Sequence, residues 1–300
     1  MRTLRTVAKL RGVLSQARRE GHSVGLVPTM GALHEGHLSL IARAREQCDQ
    51  VVVSLFVNPT QFNERTDLES YPREEQRDAK LAAAAGADIL FAPSPQEVYP
   101  AGFATTVEVS GISECLEGAA RGSSHFRGVC TVVTKLLCMV GPDVAYFGQK
   151  DAQQVLVIRR LVSDLNLPVR IETCPTVREP DGLAMSSRNA LLSPEERLRA
   201  RALPDALNAV RELVASGEHD AQTLLASTQR RLSDSAIELE YLTLADIETL
   251  EPLSTLDRPA LLALAARVGS TRLIDNLILH PRPSQNQDQT EREAAARCSV

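Results

Sequence analysis

The stretch Val24-Gly25-Leu26-Val27-Pro28-Thr29-Met30-Gly31-Ala32-Leu33-His34-Glu35-Gly36-His37-Leu38-Ser39-Leu40-Ile41-Ala42-Arg43-Ala44 says most about this chain's architecture. Val24 to Val27 is a continuous apolar run of strand character, Pro28 to His37 holds a glycine-bearing turn, and Leu38 to Ala44 continues as a helical pattern. A strand, a turn and a helix start together make an anion site. The first helical amides lack intrahelical partners, and the helix dipole adds about half a positive charge there. His34 and His37, three residues apart, share one face of that first turn and can donate hydrogen bonds to phosphate oxygens. Alone, the turn reads equally as a loop-to-helix junction with two solvated histidines, so the surrounding chain has to decide.

On either side the alternation continues. Strand patterns fall at 24–27, 51–57, 88–91, 105–109, 144–147 and 169–174, with helical patterns at 38–47, 74–85, 129–140 and 152–165. The runs at 24–27 and 51–57 are apolar throughout, as parallel strands covered on both faces require. Asn58-Pro59, Gly86, Gly141-Pro142 and Leu167-Pro168 punctuate the elements. The expectation is an α/β fold, a Rossmann-like doubly wound parallel sheet over residues 1–175, with a ligand at the carboxyl ends of its strands. Beyond 176 the pattern changes to helices at 194–216 and 220–233, opened by Ser193-Pro194-Glu195-Glu196, then strands at 237–244, 260–267 and 273–279. That predicts a smaller C-terminal α+β domain over 176–282, carrying Met185-Ser186-Ser187-Arg188. The polar residues 283–300 read as a disordered tail.

Composition narrows the function. At 300 residues and 43% hydrophobic, the chain can bury one large core or two modest ones. A net charge of −5 and a pI of about 5.8 argue against a nucleic-acid partner. No apolar run approaches the ~20 residues that span a bilayer, so no membrane partner is expected. Met1-Arg2-Thr3-Leu4-Arg5 lacks a signal-like apolar region and runs into an amphipathic helix pattern, which points to the cytoplasm. The six cysteines, at 48, 115, 130, 138, 174 and 298, show no CxxC spacing, so neither zinc nor a disulfide framework is expected.

Further segments could carry chemistry. In Ser54-Leu55-Phe56-Val57-Asn58-Pro59-Thr60-Gln61-Phe62 an apolar strand stops at Asn58 and Gln61. The Gln61 amide both donates and accepts, which suits a substrate with hydroxyls beside a carboxylate; it reads otherwise as a surface loop amide. In Tyr146-Phe147-Gly148-Gln149-Lys150-Asp151, Lys150 offers a compact charge for a polyphosphate, and Gly148 and Asp151 could approach a ribose. A helix N-terminus with exposed charges explains the same residues. Val177-Arg178-Glu179-Pro180-Asp181-Gly182-Leu183-Ala184-Met185-Ser186-Ser187-Arg188-Asn189 brings two hydroxyls and a guanidinium after a turn, fit to grip phosphates or to serve as a polar linker. His125-Phe126-Arg127-Gly128 opens the apolar helix, as a capping turn or a ligand contact. Asp78, within a helical run, is a candidate metal-facing carboxylate or a solvated helix charge.

In this order and spacing the motifs are specific. PTMGALHEGHLSL, SLFVNPTQF, YFGQKD followed by Gln153-Gln154, and VREPDGLAMSSRN resemble the signatures of the pantoate–β-alanine ligase family over about residues 1–280. That family belongs to the nucleotidyl transferases that resemble class I aminoacyl-tRNA synthetases, with HEGH in the place of their HIGH motif and MSSR in that of the KMSKS loop. The resemblance implies ATP-dependent condensation of pantoate with β-alanine to pantothenate, AMP and pyrophosphate through pantoyl adenylate, with ATP and Mg²⁺ required.

Carried over by motif, Met30, Gly31, Ala32, Leu33, His34, Glu35, Gly36 and His37 would line the ATP site, with His34 and His37 on the phosphates and His37 as proton donor. Lys150, Ser186, Ser187 and Arg188 would hold the β- and γ-phosphates and the departing pyrophosphate. Gly148 and Asp151 would hold the ribose, Gln149 would belong to the same ATP site, and Val177 and Met185 would contact the adenine region. Gln61 would meet pantoate and β-alanine, and Gln154 pantoate. Asp78 would be the protein partner of Mg²⁺. A homodimer through the N-terminal domain is also implied. One departure stands out. The family commonly reads Arg-Pro-Gly-His-Phe where this chain has Arg121-Gly122-Ser123-Ser124-His125-Phe126, one residue longer and without the proline, so Arg121 and His125 are left outside the expected site. A related adenylyl or cytidylyl transferase would share the HxGH turn without Gln61 and Gln154 in these motifs. A tRNA synthetase would need a basic surface. A nucleotide sensor would be expected to have lost a phosphate ligand.

Overall fold

The computed structural model describes residues 1–62, 68–69, 71–233, 235 and 237–281. Six parallel strands form the first sheet: β1 (Arg2–Leu4), β2 (Val24–Thr29), β3 (Gln50–Leu55), β4 (Ile89–Phe91), β5 (Val144–Gly148) and β6 (Arg170–Cys174), in the spatial order β1-β4-β3-β2-β5-β6. The chain moves from β2 outward through β3 to β4, then returns to the other side of β2 with β5. That reversal is the topological switch point where α/β sheets bind ligands. β2 and β3 stay paired along six residues, from Val24↔Gln50 to Thr29↔Leu55, whereas β2 and β5 pair only at Gly25↔Val144 and Leu26↔Ala145. Beyond those two pairs the strands part, and a crevice opens between their carboxyl ends.

Alternate β2 residues pack on opposite faces. Val24 and Leu26 join a core with helices Val7–Arg19, Ser123–Val140 and Ala152–Asp164, while Val27 packs with helices Glu35–Gln47 and Glu75–Ala84. All three side chains are fully buried, each stabilising the fold by about 1.5–3 kcal/mol. Carboxylates fasten the amino ends: Asp143 accepts the Val24 amide at 2.7 Å, and Asp88 the Val51 amide at 2.8 Å.

Two expectations fail in this unit. Residues 105–109 form no strand, because Val107 bonds through its amide to the Thr131 hydroxyl at 3.0 Å instead of to a neighbouring strand. The chain start, read as leading straight into a helix, first makes β1, whose register with β4 is set by Arg2↔Ile89. A three-residue strand is too short for periodicity to reveal.

The chain divides into two compact units after Leu191, later than the boundary expected at 175/176. Segment 177–185 folds back after β6, with Glu179 N donating to Leu183 O at 2.8 Å and Met185 N to Val177 O at 2.9 Å, which ties the MSSR segment to the first unit. The second unit holds helices Pro194–Ala200, Ala202–Ala215 and Ala221–Ser233 and the antiparallel sheet β7 (Glu238–Asp246), β8 (Ala260–Val268), β9 (Thr271–Leu279). The helix expected over 194–216 is two, broken at Arg201. The tail expected at 283–300 lies outside the described residues.

Gly128 decides one close approach. A Cβ there would fall 2.5 Å from Thr60 O and 2.8 Å from Gln61 Cα, so only glycine lets the Pro59–Gln61 turn sit on the Ser123–Val140 helix. In an open helix Gly→Ala gains about 1 kcal/mol. Here Gly128→Ala is expected to destabilise by about 1–3 kcal/mol, measured by urea unfolding; a rise in stability would show that the turn yields freely.

Candidate active site

The turn after β2 is built by side chains on its own backbone. Thr29 Oγ1 donates to Ser54 O at 2.7 Å and accepts the Gly31 amide at 3.3 Å. Gly31 (φ +96°) and Ala32 (φ +52°) then turn through the left-handed region, which costs a non-glycine residue about 1–2 kcal/mol. The Asp78 carboxylate meets the turn, Oδ2 accepting from Ala32 N at 2.9 Å and Oδ1 from Leu33 N at 2.8 Å.

His34 then caps the Glu35–Gln47 helix. Its Nδ1 accepts the Gly36 amide at 3.2 Å, and His37 Nδ1 reaches back to the His34 amide at 3.4 Å: a capping box made of two imidazoles, their centroids 4.2 Å apart. Both Nδ1 atoms accept, so each neutral ring carries its hydrogen on Nε2. Burial, followed by the neighbouring His34, pushes the His37 pKa down to about 3. Burial and then the Lys150 charge lower that of His34. The pair therefore offers two uncharged N–H donors.

Elements from four strand ends enclose one cavity of about 220 Å³. Of the residues expected from sequence, Met30, His34, Gly36, His37, Gln61, Gly148, Lys150, Asp151, Gln154, Val177 and Met185 line it. Gly31, Ala32, Leu33, Glu35, Gln149, Ser186, Ser187 and Arg188 do not form its wall. Leu33 is fully buried beneath the turn. Glu35, Ser187 and Arg188 are exposed. Arg188 is still near: burial raises the pKa of Tyr71, a wall residue, and the Arg188 charge opposes that rise. Lys150 Nζ lies 3.4 Å from Asp151 Oδ1 at the end of β5.

Gln61 is oriented from three sides. Asn58, 1% exposed, donates from Nδ2 to Gln61 Oε1 at 3.2 Å and accepts at Oδ1 from Tyr99 OH at 2.8 Å. Gln61 Nε2 points to Met30 Sδ at 2.8 Å, and Gln61 O pairs with His125 Nδ1 at 3.1 Å. Asn58 stood in the quoted strand end without a role, though it caps the Pro59–Gln61 turn from three residues away; His125 had been set aside with its altered loop, and only the fold brings it to Gln61. The two adjacent glutamines also separate. Gln154 faces the cavity, whereas Gln153 is buried, donating to Ile112 O and Cys115 O at 2.8 Å and accepting the Glu117 amide at 2.9 Å.

Sequence reasoning also missed the apolar wall. Val129, Val132, Val133 and Leu136, spaced as one helix face, line the cavity. Their periodicity marks a buried face without distinguishing core from pocket. Thr176 lines it as well, its buried Oγ1 lacking a hydrogen-bond partner among the described residues.

The metal role expected of Asp78 does not fit. Both oxygens are engaged by backbone amides, the residue is 1% exposed, and it is absent from the cavity wall. Among the described residues no three His, Cys, Asp or Glu side chains group to hold a metal.

Comparison with known proteins identifies the family. The family model described as pantoate-beta-alanine ligase matches residues 2–278. Pantothenate synthetase of Moorella thermoacetica is 52% identical over 280 residues, covering 93% of this chain and 99% of that protein. Pantothenate synthetase 1 of Bradyrhizobium diazoefficiens is 55% identical over 285 residues, covering 95% and 100%. The crystal structure of pantothenate synthetase from Thermus thermophilus superposes with a TM-score of 0.88 at 48% identity, covering 94% of this chain and all of that one. That of pantoate-beta-alanine ligase from Francisella tularensis, complexed with beta-gamma ATP and beta-alanine, gives 0.77 at 35% identity over 93% and 97%. With the family model spanning nearly its whole length, this chain belongs to the pantoate–β-alanine ligase family.

Proposed function

We propose that the chain joins pantoate to β-alanine in two displacements at this cavity. In the first, a pantoate carboxylate oxygen attacks the α-phosphorus of ATP, the bond from that phosphorus to the bridging oxygen breaks, and pyrophosphate leaves. In the second, the β-alanine nitrogen attacks the acyl carbon, the carbon–oxygen bond to AMP breaks, and the amine gives up a proton. Neither step requires a protein nucleophile, so positioning and charge neutralisation supply the catalysis.

One observation carries the reading: two neutral imidazole donors and the Lys150 ammonium border the same cavity as Gln61, Gln154 and an apolar helix face. His34 and His37 give Nε2–H bonds to phosphate oxygens. His37 acts by hydrogen bonding, since a group with a pKa of about 3 is not an imidazolium at neutral pH. Lys150 takes the charge that develops on pyrophosphate, with Ser186, Ser187 and Arg188 meeting the β- and γ-phosphates from the adjacent segment. Gly148, Gln149 and Asp151 follow the ribose; Val177, Met185 and Thr176 face the base. Gln61 and Gln154 read the pantoate hydroxyls and carboxylate, and Val129, Val132, Val133 and Leu136 take its two methyl groups. Gln61 then meets β-alanine.

Mg²⁺ arrives as part of the nucleotide substrate, on the phosphates. A cytoplasmic location fits the use of ATP and the free thiols of the five described cysteines. No described helix is long and apolar enough to cross a membrane. A homodimer through the N-terminal unit belongs to the same reading, and light scattering tests it.

Incubation with ATP, Mg²⁺ and pantoate is expected to release pyrophosphate, with sustained AMP and pantothenate only when β-alanine is added. Pyrophosphate release indifferent to pantoate would discard the ligase reading. Lys150→Ala should slow single-turnover pyrophosphate release by about 10²–10³-fold at unchanged melting temperature; a near-wild-type rate removes Lys150 from the transition state. Followed by NMR from pH 8 to pH 5, the His37 ring of the free protein should keep its neutral-form shift. A titration midpoint at the ordinary value of about 6.5 would overturn the neutral-donor role.

A further inference from the structure

Asp78 sits behind the phosphate-side turn and has no part in the scheme above. Its two oxygens accept successive amides, Ala32 N and Leu33 N, at 2.9 and 2.8 Å. Two adjacent amides converge on one carboxylate when the backbone curls through left-handed φ values, as it does at Gly31 and Ala32. The fit is tight: a Cβ on Gly31 would come 3.0 Å from Asp78 Oδ2. The carboxylate is in turn held in the first turn of the Glu75–Ala84 helix, where the dipole favours negative charge, with the Arg77 guanidinium 3.8 Å from Oδ1.

Resting on the reading of this cavity as the ATP site, we infer that Asp78 is a positioning residue. Its carboxylate holds Ala32 in the left-handed conformation and so fixes where the His34 and His37 Nε2–H groups point. Leu33 leads directly into the His34 cap, His34 Nδ1 is bonded to Gly36 N, and His37 Nδ1 to His34 N. Losing the carboxylate leaves two buried amides without acceptors and lets Ala32 return to negative φ. The capping residue turns with it, and both imidazoles move together. A direct Mg²⁺ ligand would behave differently, since it matters only when the metal is present.

The test compares wild type with Asp78→Asn, which cannot accept both amides in the same way, and Asp78→Glu, which keeps the charge but displaces the oxygens. Three readouts are taken: hydrogen exchange at Ala32 and Leu33, ATP affinity in EDTA by calorimetry, and the Mg²⁺ dependence of pyrophosphate release. Both variants are expected to exchange these two amides at least about 10-fold faster and to bind metal-free ATP about 10- to 100-fold more weakly, with half-saturating Mg²⁺ unchanged. Wild-type exchange and metal-free affinity in both variants, or a defect confined to a higher Mg²⁺ requirement, would overturn the assignment. If Asp78→Asn does not fold, Asp78→Glu carries the comparison, and exchange in the wild-type protein as fast as in an open loop refutes the inference with no variant. A wild-type chain that binds no ATP refutes the site reading instead, and the exchange data still report whether Asp78 holds the turn.

Discussion

β2 is paired on both edges, but unequally, and the site depends on that inequality. Six residues hold it to β3 and two hold it to β5. Full pairing on one side keeps the strand end at Thr29 level with the strand end at Leu55, so the turn carrying His34 and the loop carrying Gln61 leave the sheet side by side. Short pairing on the other side lets Gly148 draw away from Thr29. The crevice this opens is bordered by the His34 cap and by Gly36 and His37 in the first turn of the Glu35–Gln47 helix.

Polarity is divided along the strands. Carboxylates of Asp88 and Asp143 are bonded to amides at the amino ends, away from the cavity. At the carboxyl ends stand a helix N-terminus, two imidazoles and Lys150, with Asp151 beside it. The Asp78 carboxylate meets the turn through two amides, so the turn gains rigidity without presenting that anion to the cavity. Burial keeps the imidazoles neutral beside Lys150, which avoids like-charge repulsion and leaves their N–H groups as donors.

The Gln61 side of the cavity is ordered by a second network, centred on the buried Asn58. Asn58 is bonded to Gln61, Thr60 and Tyr99, so the Gln61 amide enters the cavity already oriented. A side chain held this way has less conformational entropy to lose when a ligand binds. Gly128 belongs to the same arrangement, because its missing side chain is what lets the Gln61 turn lie on the apolar helix that forms the opposing wall.

By itself the sequence determined the alternating strands and helices, the strand–turn–helix at 24–44 and the motifs that identify the family, because apolar periodicity, turn residues and cap residues act over a few neighbours. Tertiary structure decided what depends on distant partners. It withheld a strand at 105–109, where Thr131 takes the Val107 amide, and added β1, which exists only by pairing with β4. It separated Gln153 from Gln154, buried one and exposed the other to the cavity, though the two look alike in sequence. It turned Asp78 from a candidate metal ligand into a brace for residues 46 and 45 positions earlier. A hydrogen bond across such a span is a consequence of how the sheet is wound, and nothing in the residues flanking either partner encodes it.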